Sequence, residues 1–337
     1  MKHSFFFRYC LQRVGQCLLV IFIGITITFI IPRLAPTDPV ESAIATANMS
    51  GQYTHPEAVA EIRRALTELY GLEGGIFEQY FNFWKRLLKA DLGPSYSSFP
   101  TPVMDLIRRS LPWTVGLLLT SAFIAWAIGN LIGGLAAYFN QRRWARTLGL
   151  LCMAIRPTPY YIMAFVILAL FAYILPIFPL SGGLAIGVHF SFTWRFITSL
   201  LKHAFLPSLS LVIVSGGAWF LGMNSLVSNI VSEDYVVYAE MGGVSNRNIL
   251  FRYVMRNALL PQVTGLALQL GMIFNGALIT EYVFSYPGLG YLTYNAVFSG
   301  DYGLIIGIAI FSIIGVALAI LIIDLAYPLF DPRIRHR

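Results

Sequence analysis

Residues 233–261, EDYVVYAEMGGVSNRNILFRYVMRNALLP, form a polar, helix-patterned island between two long apolar segments. Tyr235, Tyr238, Ala239 and Gly242 fall at i, i+3, i+4 and i+7, so a helix here presents one small-and-aromatic face, with Glu233 and Asp234 in its first turn. Gly242 and Gly243 are placed to end that helix in a left-handed turn. A second helix is expected to follow, with Arg252 and Arg256 on one side and Ile249, Leu250, Tyr253 and Val254 on the other. Together they predict a hairpin of two short helices in water, directly beneath a membrane.

Composition supplies the membrane. Of 337 residues, 57% are apolar and only 12% charged, outside the range of soluble domains. The net charge of +7 is dispersed in short basic groups beside apolar runs. That pattern orients membrane segments and argues against nucleic acid as a partner. Cys10, Cys17 and Cys152 lie in or next to apolar segments without paired spacing, and read as small buried hydrophobes.

Outward from the island, a fourth span is expected over about 206–226 and a fifth over about 263–283. A short outer loop holding YPGLG at Tyr286 to Gly290 follows, then a sixth span over about 304–327 that ends at the basic DPRIRHR. Toward the N-terminus, residues 176–204 read as an outer loop, with turns at PLSGG and Trp194 as an interface anchor. The third span, about 147–175, is interrupted by RPTP at Arg156 to Pro159, where two prolines must open backbone hydrogen bonds at membrane depth. Arg156 lies about 15 Å along the helix from Arg146, so it faces a cavity, a partner or a deformed bilayer. The second span, about 113–139, carries Gly129, Gly133 and Gly134, which permit close helix approach. Arg142, Arg143 and Arg146 mark the following turn as cytoplasmic.

The first span covers 14–31, after a cytoplasmic N-terminus of residues 1–13 bearing Lys2, Arg8 and Arg13. A cleaved signal is the alternative, with ATA at Ala45 to Ala47 as a poor and distant cleavage site. Residues 32–110 form an extracytoplasmic segment with two amphipathic helices. One is opened by the capping box Thr54 and Glu57, with Val59, Ile62, Leu66 and Leu69 as its stripe. The other, Phe77 to Leu88, has an aromatic-rich face suited to the headgroup region. Residues 111–337 then hold a five-span core that includes the cytoplasmic loop 227–261. Six spans place both basic termini in the cytoplasm, and the fold class is an all-α integral membrane protein.

Enzymatic chemistry is absent from the pattern. No GxxxxGK[ST] phosphate loop occurs, and the five histidines are scattered without metal-ligand spacing. Glu281 and Asp324 sit near segment ends, whereas an ion-coupled carrier places carboxylates near the midplane. Both read as structural, with pathway lining as the alternative for Glu281. A docking site for a partner explains the structured cytoplasmic hairpin, as helix-in-groove recognition does; a solvated loop is the plainer reading.

At this hairpin the sequence resembles the permease subunits of binding-protein-dependent ABC importers, in the peptide, nickel and oligosaccharide branch. EDYVVYAEMGG followed by RNALLP is similar to the family's EAA-type loop, with Ala239 at its first alanine and Gly243 at its most regular glycine. Met241 replaces the second alanine and Gly242 the usual basic residue. Further matches run the length of the chain: LAPTDP, YGL, DLGPSY, SGG at Ser181, HAFLP at His203, ITEYVFSYPGLG at Ile279, DY at Asp301 and DPRIR. The resemblance implies the type I importer permease fold, with a coupling helix between spans 4 and 5. It makes Glu233, Asp234, Tyr235, Tyr238, Ala239, Glu240, Gly242, Gly243 and Arg247 the ATPase-coupling loop, and Arg156 and Glu281 candidate pathway residues. It also implies a second permease, two cytoplasmic ATPase subunits that use ATP and magnesium, and an extracytoplasmic binding protein. This chain would bind no cofactor itself and lie in a bacterial or archaeal cytoplasmic membrane. Oligopeptides are the first expected solute, then oligosaccharides or nickel complexes.

Overall fold

The computed structural model describes residues 2–34, 63–64, 67 and 74–330. Apart from residues 63, 64 and 67, the amphipathic helix expected over 54–71 lies outside the described residues, as does the terminal DPRIRHR. Among those described, five helices are long and apolar enough to cross a membrane, or six if one bent pair counts as a single span. The chain divides into two compact units, one of residues 1–112 and 288–337 and the other of residues 113–287.

In the first unit, α1 (Lys2–Leu34) and α11 (Tyr302–Phe330) run antiparallel. Gly24 lies against Ile313, Cys17 against the Ala317 carbonyl, and Arg13 pairs with Asp324 at 3.3 Å. The amphipathic α2 (Ile76–Leu88) covers the segment expected to be aromatic-rich. The first turns of α3 (Val103–Tyr138) and the short α10 (Leu289–Phe298) complete a core of Val103, Ile107, Leu289, Ala296, Leu304 and Ile308. Asp301, fully buried, fixes this end of the bundle. Its carboxylate accepts from the Ser95 hydroxyl, from the Ser97 amide at 2.9 Å and hydroxyl at 3.0 Å, and from the Leu304 amide at 2.9 Å, capping α11.

The second unit is built on the remainder of α3 and on α6 (Trp194–Ile230). A Cβ on Gly133 would stand 2.4 Å from the Phe220 carbonyl oxygen, and one on Gly129 2.7 Å from that of Gly216, so these glycines let the two backbones touch. The expected third span is two helices, α4 (Arg143–Ile155) and α5 (Tyr160–Ile174), bent by 106°. Pro157 and Pro159 remove two donors at the break, and each arm is too short to cross alone. The second helix of the expected hairpin is not separate. It continues into the fifth span as α8 (Asn246–Phe274), so only the first half of the expected hairpin is a free-standing helix. The fifth span also ends earlier than expected: the chain turns at Gly276, and α9 (Leu278–Val283) is a distinct short helix.

Candidate functional site

The loop helix α7 (Asp234–Met241) starts after Glu233, whose extended backbone offers its carbonyl to the amides of Val236 and Val237. Its end is a Schellman cap. Gly243 takes φ +74°, its amide reaches the Glu240 carbonyl at 3.0 Å, and the Val244 amide reaches the Ala239 carbonyl at 3.1 Å. Val236 is fully buried and Ala239 nearly so, in a core with Met223 and Val227 of α6 and Ile249, Leu250, Val254 and Met255 of α8. Ala239, expected on the partner-facing side with Tyr235 and Tyr238, therefore faces its own chain. The most exposed apolar side chains of α7 are Tyr238 (71% exposed) and Met241 (80%), and Asp234, Val237 and Glu240 are exposed beside them. Tyr235 is tied down at its tip, where the Asn257 amide donates to its hydroxyl at 3.1 Å.

The start of α8 holds this arrangement by an unusual turn. Ile249–Met255 is π-helical, and Ile249 with Val254 and Leu250 with Met255 are spaced by five. An α-helix would separate the members of such pairs around its axis; the wider turn brings all four to the core beneath α7.

Arg156 lies at the bend between α4 and α5, exposed, its amide on the Cys152 carbonyl at 3.0 Å. Glu281 is fully buried on α9. The Thr114 hydroxyl donates to its carboxylate at 2.8 Å, and its carbonyl accepts from the Tyr286 amide at 2.7 Å. Tyr286, 3% exposed, stands edge-on to Trp113, and burial first, then the Glu281 charge, pushes its phenol up to about 12. Beside this knot is a cavity of about 410 Å³ lined by Ser121, Tyr160, Tyr161, Ser215, Gln269 and Thr280 among apolar residues. Thr280 lines it, while its neighbour Glu281 bonds to Thr114. Residues 233–243 thus share one short helix and its two ends, whereas Arg156 lies at the bend between α4 and α5 and Glu281 on α9. Sequence reasoning missed the cavity, although Gln269, Ser121 and Ser215 are polar residues inside apolar runs and so carried a signal.

A family model described as "Binding-protein-dependent transport system inner membrane component" matches residues 129–336. The inner membrane ABC transporter permease protein YejB of Escherichia coli O157:H7 is 32% identical across 97% of this chain and 98% of its own length. The oligopeptide transport system permease protein OppB of Haemophilus influenzae is 29% identical, over 98% of this chain and 99% of its own. AppB, an oligopeptide permease protein of Bacillus subtilis, is 27% identical, over 94% and 96%. With a match over most of the second unit, α7 and the last long helix, this chain belongs to the family of binding-protein-dependent transport system inner membrane components.

Proposed function

We propose that this chain is one of two permease subunits of an ATP-driven peptide importer, and that α7 is the handle by which separate ATPase subunits move it. The observation that carries this reading is the mounting of α7. Val236 and Ala239 lock it to α6 and α8, while Tyr238 and Met241 stand exposed on the other side. A displacement applied to that outward face reaches two membrane-spanning helices through packed side chains rather than through a slack loop. Peptides as solute are supported by relatives named for oligopeptide transport. ATP and magnesium would be bound by the ATPases, since this sequence has no phosphate loop. An extracytoplasmic binding protein would deliver the solute, and the basic groups at both termini favour a cytoplasmic location for each. Arg156, a charge at a broken helix within apolar sequence, is proposed to meet the solute or the second permease.

The test is uptake of labelled oligopeptide by proteoliposomes holding the importer with its ATPases and binding protein. Replacing Tyr238 by Ala together with Met241 by Ser should cut uptake at least tenfold while the chain still inserts. Full uptake in that variant, or uptake that survives without ATPases and collapses with an uncoupler, would falsify the coupling assignment. Arg156→Leu should alter peptide-stimulated ATP hydrolysis; an unchanged rate removes Arg156 from the pathway.

A further inference from the structure

We infer that the cavity of about 410 Å³ in the second unit is a solute site that takes one uncharged internal residue of a passing peptide, its backbone amide on polar side chains and its own side chain on an apolar wall. This rests on the peptide reading given above. The inference starts from placement. Ser121 stands at the middle of α3 and Ser215 close to the middle of α6, so the cavity lies midway along both helices. Both interrupted spans break against it. Tyr160 and Tyr161 begin α5 just after Pro157 and Pro159, and Gly276, at φ +71°, turns the chain between α8 and α9. Backbone without helical hydrogen bonds is tolerated at membrane depth only against protein or an aqueous cavity, and solute sites of membrane carriers are commonly built where helices break.

The lining selects the ligand. A serine or threonine in a membrane helix commonly returns its hydroxyl to the preceding turn, as Ser121 does to the Leu117 carbonyl at 2.6 Å. The side chains of Ser215, Gln269 and Thr280 have no hydrogen-bond partner among the described residues, and Thr280 is only 3% exposed. These three come from α6, α8 and α9 and meet at one cavity. Against acyl chains such groups stay unpaired, at a cost that a ligand with its own donor and acceptor removes. A peptide group is such a ligand, offering one N–H to a hydroxyl or to the Gln269 side-chain carbonyl and one C=O to the Gln269 amide. Leu118, Leu211, Ile273 and Leu278 supply the apolar wall. No lining residue is charged, so a peptide terminus or an ionised side chain lodged here would lose its hydration without gaining a counter-charge. Glu281, beside Thr280 in sequence, is bonded to Thr114 instead. The volume lies at the lower end of the roughly 300–1,000 Å³ of small-molecule sites, room for a residue and its side chain rather than for a whole oligopeptide.

The test compares two tripeptides that differ only in the middle, Ala-Leu-Ala and Ala-Lys-Ala, in proteoliposomes holding the importer with its ATPases and saturated binding protein. Gln269→Glu puts a carboxylate into the cavity with almost no change of shape, and should raise uptake of the lysine peptide relative to the leucine peptide by at least about tenfold over the wild-type ratio. An unchanged ratio in the inserted variant would overturn the inference. A second measurement leaves the chain unaltered: labelled tripeptide with p-benzoylphenylalanine in the middle, irradiated during ATP turnover, should form adducts within residues 269–280, where Met272 lines the cavity. Adducts confined to lipid or to the second permease would overturn it as well. A wild-type importer that takes up neither tripeptide would overturn the peptide assignment and the inference with it, whereas uptake without the shift in ratio or the adducts removes the cavity alone.

Discussion

Gly243 lets the coupling of α7 be tested at one backbone angle. Its φ of +74° closes the cap that holds Val244 against Ala239, and a Cβ built there meets no atom of the chain within 4 Å. Nothing within the chain is crowded, so Gly243→Ala costs only the left-handed conformation, about 1–2 kcal/mol. That corresponds to a roughly 5–30-fold fall in the ratio of capped to frayed α7. Asn tolerates the left-handed region and should lose much less. The expected order of peptide uptake in proteoliposomes is therefore Gly, then Asn, then Ala, with equal membrane insertion and with ATPase recovery in pull-downs following the same order. Uptake by Gly243→Ala equal to wild type would refute the cap as the element that holds α7. Asn and Ala failing alike would refute backbone strain as the cause, and would mean that any Cβ at 243 collides with the docked subunit. Gly243→Asp, which matches Asn in shape, isolates charge: uptake below that of Asn would show an acidic or apolar wall facing this position.

Three further outcomes follow from packing and ionisation. Gly133→Ala forces a methyl onto the Phe220 carbonyl and should cost about 1–3 kcal/mol of overpacking, read as a lower unfolding midpoint in detergent; an unchanged midpoint would mean that α3 and α6 are not in backbone contact. Asp301→Ala strands the amides of Ser97 and Leu304 and should cost about 3 kcal/mol, with Asn recovering part of it; equal stability of Ala and Asn would remove the carboxylate from the cap. Tyr286 ionises at about 12 in the folded chain against an ordinary value of 10, so the unfolded state loses its proton first as pH rises. Its contribution is intact below pH 10 and fades between 10 and 12, by about 2–3 kcal/mol in all. Tyr286→Phe should flatten the alkaline fall in stability over that window, and a difference from wild type that appears already at neutral pH would assign the effect to packing instead.

The spans were legible because burial in lipid demands long apolar runs and nothing else in this sequence supplies them. Their ends were not. Val103 to Pro112 reads as polar connector, with Asp105, Arg108 and Arg109, yet it is the first part of α3, because Val103 and Ile107 face a core formed with residues nearly 200 positions later. Hydropathy sees the solvent of a residue and not its distant partners. The 106° bend had a local cause, the two prolines, and so could be located to the residue. The π turn of Ile249–Met255 had none: five-residue spacing of apolar positions fits no standard helix pattern, and only the core beneath α7 selects it.

The same division separates the parts of the site. Gly243 could be read from sequence because a left-handed residue after a helix is written locally, as glycine. The inward turn of Ala239 could not, because Tyr235, Tyr238 and Ala239 share a helix face by spacing, and which edge of that face is covered depends on α6 and α8 arriving from elsewhere in the chain. Once they do, Ala239 is packed against them, and Tyr238 and Met241 are left the most exposed apolar side chains of α7. Met241 stands where the resembled loop pattern has alanine, and it is among the most exposed side chains of α7. A long, unbranched thioether adapts to an irregular groove where a methyl would need a close match. The departure from the pattern thus falls on the outward face, and the docking partner of this chain should carry a correspondingly wider pocket. Met241→Ala restores the patterned residue, so it should weaken coupling to the cognate ATPase rather than strengthen it, and stronger coupling in that variant would sink the wider pocket.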